Sequence, residues 1–220
     1  MFEGKKVFLF DMDGLLIDSE KMHLDMWNYV FKKHHIDNGL DVIKKLIGVS
    51  GETARKVIEE ETGDIHFLEP YQKEKDEMTD RFLEVYGMSV KKGAVSLLSY
   101  LKEKDYKIIL VSSTFKEGVE KFLAYSQLSD FFDERVTGDM VSESKPSPEL
   151  YLKAIEIYHL NKEECIALED SYNGIIAADG AGIDVVGIPD LVDISHIECS
   201  HFVSIKESLE DVLEELQTIK

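Results

Sequence analysis

The sequence predicts a doubly wound α/β fold, a parallel sheet with helices on both faces, into which an all-helical domain is inserted. Three observations predict it. Short apolar runs recur along the chain, and amphipathic helical patterns separate them. Between Ser19 and Tyr86, by contrast, only helical periodicity is present, with no strand pattern to interrupt it.

The runs are Val7–Phe10, Ile108–Val111, Arg135–Thr137, Cys165–Leu168 and Val185–Ile188, each followed by polar or small residues. Runs this short and apolar are expected as buried parallel strands. Between them, Ala94, Val95, Leu97, Leu98 and Leu101 recur on one helix face, and Glu117–Leu123, Pro148–Tyr158 and Tyr172–Ala181 are similar. Pro148 is expected in the first turn of its helix, where a missing N–H costs nothing. The interrupting stretch reads as helices over His23–Phe31, Leu40–Leu46, Thr53–Glu61 and Leu68–Tyr86. The expected organisation is a core domain of residues 1–17 and 90–220 and a helical domain of residues 18–89. Gly87 and Gly93 flank the return to the sheet, and an insert beside the sheet's carboxyl edge is placed to act as a lid. Trp27 and Phe31, one helical turn apart, are expected in the core of that insert.

A chain of 220 residues, 44% hydrophobic, can bury a substantial core. Its net charge of −19, from 25 basic and 44 acidic residues, argues against a nucleic-acid partner, whose phosphates require Lys and Arg. The same charge repels small anions, so phosphate chemistry needs local compensation by a metal ion, a buried lysine or backbone amides. No apolar run approaches the ~20 residues of a membrane helix, and Val7–Phe10 is too short for a signal-peptide core. Cys165 and Cys199 alone make no disulfide framework. A cytoplasmic monomer is expected.

In open α/β sheets ligands bind beyond the carboxyl ends of the strands, so the residues after each run carry the functional reading. The first run leads into Asp11-Met12-Asp13-Gly14. Carboxylates two apart in extended chain share a side, and Gly14 permits a sharp turn. The second leads into Ser112-Ser113-Thr114, hydroxyls and amides entering a helix, a setting that suits phosphate or simple capping. Lys145-Pro146 precedes the Pro148 helix, and Glu169-Asp170-Ser171 follows the fourth run. Hard oxygen ligands in this number suit magnesium, and no His/Cys spacing favours zinc. The chain has neither a nucleotide-triphosphate loop nor a serine-hydrolase elbow.

Asp11-Met12-Asp13-Gly14, Ser112, Lys145-Pro146 and Glu169-Asp170, in this order, resemble the four motifs of the haloacid dehalogenase superfamily, and the helical insert resembles its type 1 cap. The segments DMDGLLIDSE (Asp11–Glu20), Lys145–Glu149 and EDSYNGIIAADGAG (Glu169–Gly182) are most similar to its branch of sugar-phosphate phosphatases and β-phosphoglucomutase. The resemblance spans essentially the whole chain. It implies a Rossmann-like core and a Mg2+-dependent phosphatase acting on a small phosphorylated metabolite, a sugar phosphate or nucleoside monophosphate. Asp11 would be the nucleophile, forming an aspartyl-phosphate. Asp13 would be the general acid/base, with Lys145 offsetting charge. Ser112 would bind the phosphoryl group, with Ser113 and Thr114 nearby. Asp11, Asp170 and the backbone carbonyl of Asp13 would hold the metal, with Glu169 ranked behind Asp170. His23 matches a cap-hinge histidine, and Lys75 loosely matches a cap cation that contacts substrate. The mutase branch carries an arginine where Gly48-Val49-Ser50-Gly51-Glu52 has Gly51, which shifts the expectation from phosphosugar mutase towards hydrolase. A non-catalytic binding protein is the remaining alternative, against which stand Asp11, Asp13, Lys145 and Asp170.

Overall fold

The structure, a computed structural model, describes residues 2–47, 51–132 and 134–218. The chain forms two compact units: the residues up to Ile17 together with those from Ser89 onward, and the segment Asp18–Met88.

The first unit is built on a parallel sheet of β1 (Val7–Phe10), β2 (Lys107–Val111), β3 (Glu134–Val136), β4 (Cys165–Glu169), β5 (Asp184–Gly187) and β6 (Phe202–Ile205). The strand order is β3-β2-β1-β4-β5-β6, so the order reverses beside β1. Such a reversal opens a crevice at the carboxyl ends of the neighbouring strands. Register carries the consequence: Phe10 lies level with Leu110 on one side and Leu168 on the other. The chain therefore leaves β1, β2 and β4 at nearly the same height, at Asp11, Ser112 and Asp170.

Both faces of the sheet are covered, which is why its strands read as unbroken apolar runs rather than alternating ones. On one face Val7, Leu9, Ile109, Val111, Cys165, Ala167 and Val185 pack with Tyr151 and Ala154 of a helix over Glu149–Tyr158 and Ile175 and Ala178 of a helix over Tyr172–Gly180. On the other, Phe8 meets Tyr106 edge-on at 5.2 Å and Phe10 meets Phe132 at 6.2 Å. Further α-helices among the described residues of this unit are Ala94–Glu103, Lys116–Ser126 and Leu209–Thr218.

Element bounds shift by a residue or so from the expectation in several places, and the informative differences are these. β3 starts one residue early, at Glu134. Pro148 stands just before its helix rather than within the first turn, and its carbonyl accepts the Leu152 N–H at 2.9 Å, starting the helix. β6 was not expected: it is an edge strand whose Val203 and Ile205 are 43% and 41% exposed, and a half-exposed four-residue run resembles a loop. The last helix was not expected either; Leu209, Val212 and Leu216 form its buried stripe among acidic residues.

The second unit contains α-helices over Ser19–Lys33, Gly39–Lys45, Gly51–Thr62 and Glu69–Tyr86. Its core is Trp27, Phe31 and Ile43, with the Trp27 and Phe31 rings stacked 5.1 Å apart. Gly48, Val49 and Ser50 of the segment compared with the mutase branch lie outside the described residues. Among the described residues no helix is long and apolar enough to cross a membrane.

Because Leu9 is fully buried in the central strand, Leu9→Ala is expected to lower the free energy of unfolding by about 2–5 kcal/mol. Denaturant titration checks this, and a loss below about 1 kcal/mol would contradict the packing described.

Candidate active site

The strand ladder sets the position of Asp11, whose N–H donates to the Leu168 carbonyl at 3.1 Å. The turn after it is tight, with the N–H groups of Leu16 and Ile17 both donating to the Met12 carbonyl. Gly14 takes φ 83° in that turn, and a Cβ there would lie 2.2 Å from Asp170 Oδ2. Glycine thus supplies both the left-handed backbone and the room for the Asp170 carboxylate to approach β1.

Lys145 joins these strand ends. Its Nζ donates to Asp11 Oδ1 at 2.5 Å, to Glu169 Oε1 at 2.6 Å and to the Val111 carbonyl at 2.8 Å, using all three protons. The loop carrying it is tethered by Glu149, whose carboxylate accepts the N–H groups of Ser142 and Glu143 at 2.9 and 3.2 Å. Glu169 is fully buried. Its Oε1 also accepts the Tyr151 hydroxyl at 2.5 Å, while its Oε2 is buried with no hydrogen-bond partner among the described residues. Glu169 is therefore no solvated neighbour of Asp170.

The electrostatics are lopsided. Asp11, Asp13, Glu169 and Asp170 gather near one ammonium. Burial pushes the Asp11 carboxyl well above the ordinary carboxylate range. The Lys145 charge opposes this, and the charges of Glu169 and Asp13 add to it. Burial would lower Lys145, but Asp11 and Glu169 outweigh it and hold the ammonium above its ordinary value. Burial, then the charge of Glu169, keeps the Tyr151 phenol protonated. A cluster with this surplus of buried negative charge fits a divalent cation. Asp11, Glu169 and Asp170 each offer an oxygen, all within 4.8 Å of one another. The donors are hard oxygens, as magnesium prefers.

Asp13 meets the hydroxyls that follow β2. Thr114 Oγ1 donates to Asp13 Oδ2 at 2.8 Å, and Ser112 Oγ approaches the same oxygen at 3.5 Å. Ser112 Oγ in turn accepts the Thr114 N–H at 3.0 Å, while Ser113 is exposed. Thr114 thus orients the second aspartate. His23 and Lys75 belong to the helical unit. His23 is half-buried, whereas Lys75 is buried, with its Nζ 3.1 Å from Asp76 and 6.0 Å from the centroid of the Trp27 ring, a packing position.

Sequence reasoning missed two residues beside the cluster. Tyr151 lies on a buried helix face and reads there as core. Asp190 follows β5 and pairs with Lys91 at 2.6 Å, and one of its oxygens lies within 4.8 Å of one of Asp170. The signal for Asp190 was its place after the fifth apolar run, equivalent to that of Asp11 after the first.

The sequence profile of the haloacid dehalogenase-like hydrolase family matches residues 8–188. YhcW of Bacillus subtilis, named as a candidate phosphatase, is 33% identical over 189 residues, covering 85% of this chain and 84% of that protein. A phosphorylated carbohydrates phosphatase of Thermotoga maritima is 30% identical over 178 residues, covering 80% and 81%. The crystal structure of a β-phosphoglucomutase from Clostridium difficile superposes with a TM-score of 0.76 at 24% identity, covering 97% and 96%, which speaks to the fold. The extent of the match and the order of the motif residues along it establish that this chain is a member of the haloacid dehalogenase-like hydrolase family, with the enzyme class of a phosphatase.

Proposed function

We propose that the protein is a Mg2+-dependent phosphatase that hydrolyses a small phosphorylated metabolite, of the sugar-phosphate or nucleoside-monophosphate kind, through a phosphoryl group carried on Asp11. The observation that carries this reading is the meeting of Asp11, Lys145, Glu169 and Asp170 at the carboxyl edge of one sheet. The T. maritima relative, named as a phosphatase of phosphorylated carbohydrates, supports the substrate class.

Asp11 uses a carboxylate oxygen to attack phosphorus, and the bond from phosphorus to the substrate oxygen breaks. Asp13 gives its proton to that departing oxygen. Water then attacks the aspartyl-phosphate while Asp13 takes back a proton, and phosphate leaves with Asp11 restored. Thr114 holds Asp13 in position for both transfers. Lys145 keeps its proton throughout and offsets charge on Asp11 and the transferring group. Asp11, Asp170 and the Asp13 backbone carbonyl would hold a magnesium ion, with Glu169 beside them, and the ion would supply further positive charge against the phosphoryl oxygens. Hydrolysis is favoured over phosphosugar mutation because Gly51 stands where the mutase branch has an arginine, and a second phosphate would lack that bidentate clamp.

Incubation with sugar phosphates and Mg2+ is expected to release free phosphate rather than an isomerised sugar phosphate, with EDTA abolishing the release. Asp11→Asn should lower kcat by roughly 10³-fold or more with the fold intact by circular dichroism. Wild-type turnover in that variant would contradict the nucleophile assignment.

Asp13→Asn should lower kcat by about 10²–10⁴-fold on a sugar phosphate. The first displacement on p-nitrophenyl phosphate should suffer much less, because a good leaving group needs little protonation. Burst amplitudes on the two substrates check this, and equal losses would contradict the acid role.

A further inference from the structure

Glu169 places its carboxyl group at a position with no exposure to solvent. A carboxylate in such a place must be held by donors, because desolvation without partners is costly. Two donors converge on its Oε1, Lys145 Nζ at 2.6 Å and the Tyr151 hydroxyl at 2.5 Å. The carboxylate also lies flat against Gly174, where a Cβ would stand 1.9 Å from Oε2 and 2.4 Å from Oε1. Any other residue at Gly174 would fill the space the carboxylate occupies. Lysine alone would leave Glu169 free to turn about its own axis, and the hydroxyl and the glycine remove that freedom.

Tyr151 is fully buried, and phenylalanine would fill the same volume for its ring. A buried phenol is retained against desolvation only where its hydroxyl finds a partner, and here the partner is a charged group next to the nucleophile. Tyr151 also stacks its ring toward the Lys145 ammonium, 5.3 Å from the centroid, so it touches both ends of the Lys145–Glu169 pair.

We propose that Tyr151 is a positioning residue for the cation site: with Gly174 as the floor, its hydroxyl sets the orientation in which Glu169 faces Asp11 and Asp170. The inference rests on the cation site proposed above. Outer partners that orient metal-facing carboxylates typically change metal affinity by about 10–100-fold.

The test is Mn2+ binding to the substrate-free protein by isothermal titration calorimetry. Tyr151→Phe is expected to weaken binding about tenfold. If Tyr151 acts through Glu169, adding Tyr151→Phe to Glu169→Gln should weaken binding by less than about twofold further, since coupled residues are not additive. Tyr151→Phe binding as the wild type does, or the full loss reappearing in the double variant, would overturn the proposal. Gly174→Ala supplies a second probe that decides the matter if Tyr151→Phe does not fold: weakened binding is expected, and wild-type binding would overturn the socket. Asp170→Asn separates the two levels. Undiminished binding in that variant would overturn the cation site itself, whereas its loss alongside an unaffected Tyr151→Phe would overturn the role of Tyr151 alone.

Discussion

The buried ammonium of Lys145 is the constraint on which the catalytic edge depends. It sits between Asp11 and Glu169 with its side chain 5% exposed, and its third proton is bound by the backbone of β2. Breaking a buried pair by removing one partner typically costs about 3–5 kcal/mol, because the charges left behind are uncompensated. Here two carboxylates would be left. The lysine therefore cannot be separated from the fold around it, and the same contact that holds the loop before the Glu149–Tyr158 helix also holds Asp11.

That ammonium does not balance its surroundings. Four acidic side chains against one lysine leave a negative surplus in a place water reaches poorly; burial first, and then the neighbouring charges of Glu169 and Asp13, raise Asp11 against the opposing pull of Lys145. The sheet creates the problem and contains the solution. Parallel strands in register deliver Asp11 and Glu169 side by side, with Asp170 one residue beyond, and the oxygens they present are those a hard divalent cation accepts. Glycine at positions 14 and 174 lets two of these carboxylates lie directly on the backbone. With a divalent cation held there, attraction for a small anion would be concentrated at this edge while the rest of the strongly negative surface repels.

How much of this was legible in the chain follows from the kind of signal each residue leaves. Asp11, Asp13, Lys145, Glu169 and Asp170 are polar residues directly after apolar runs or on a proline-bearing loop, so their positions stood out and topology does the rest. Strand alternation, which turns Glu169 and Asp170 to opposite sides, says nothing of the lysine and tyrosine that close over a strand's last residue. Tyr151 left no signal, because a tyrosine on the apolar stripe of a helix looks like core, and the stripe is indeed core except for its hydroxyl. Lys75, expected from its place in the insert as a cation facing a ligand, is buried with its ammonium beside Asp76 and near the Trp27 ring, a setting that its sequence position did not announce. The edge strand β6 escaped because half-exposed residues erase the contrast that made the central strands readable.

The central claim, that Asp11 held by Lys145 takes the phosphoryl group, has a direct measurement. Mixing enzyme with a radiolabelled sugar phosphate for less than one turnover, quenching in acid and mapping peptides locates the transferred group. The account predicts an acid-stable, base-labile label on the peptide bearing Asp11, absent from Asp11→Asn. Label on another residue, or full turnover with none on the protein, would contradict it.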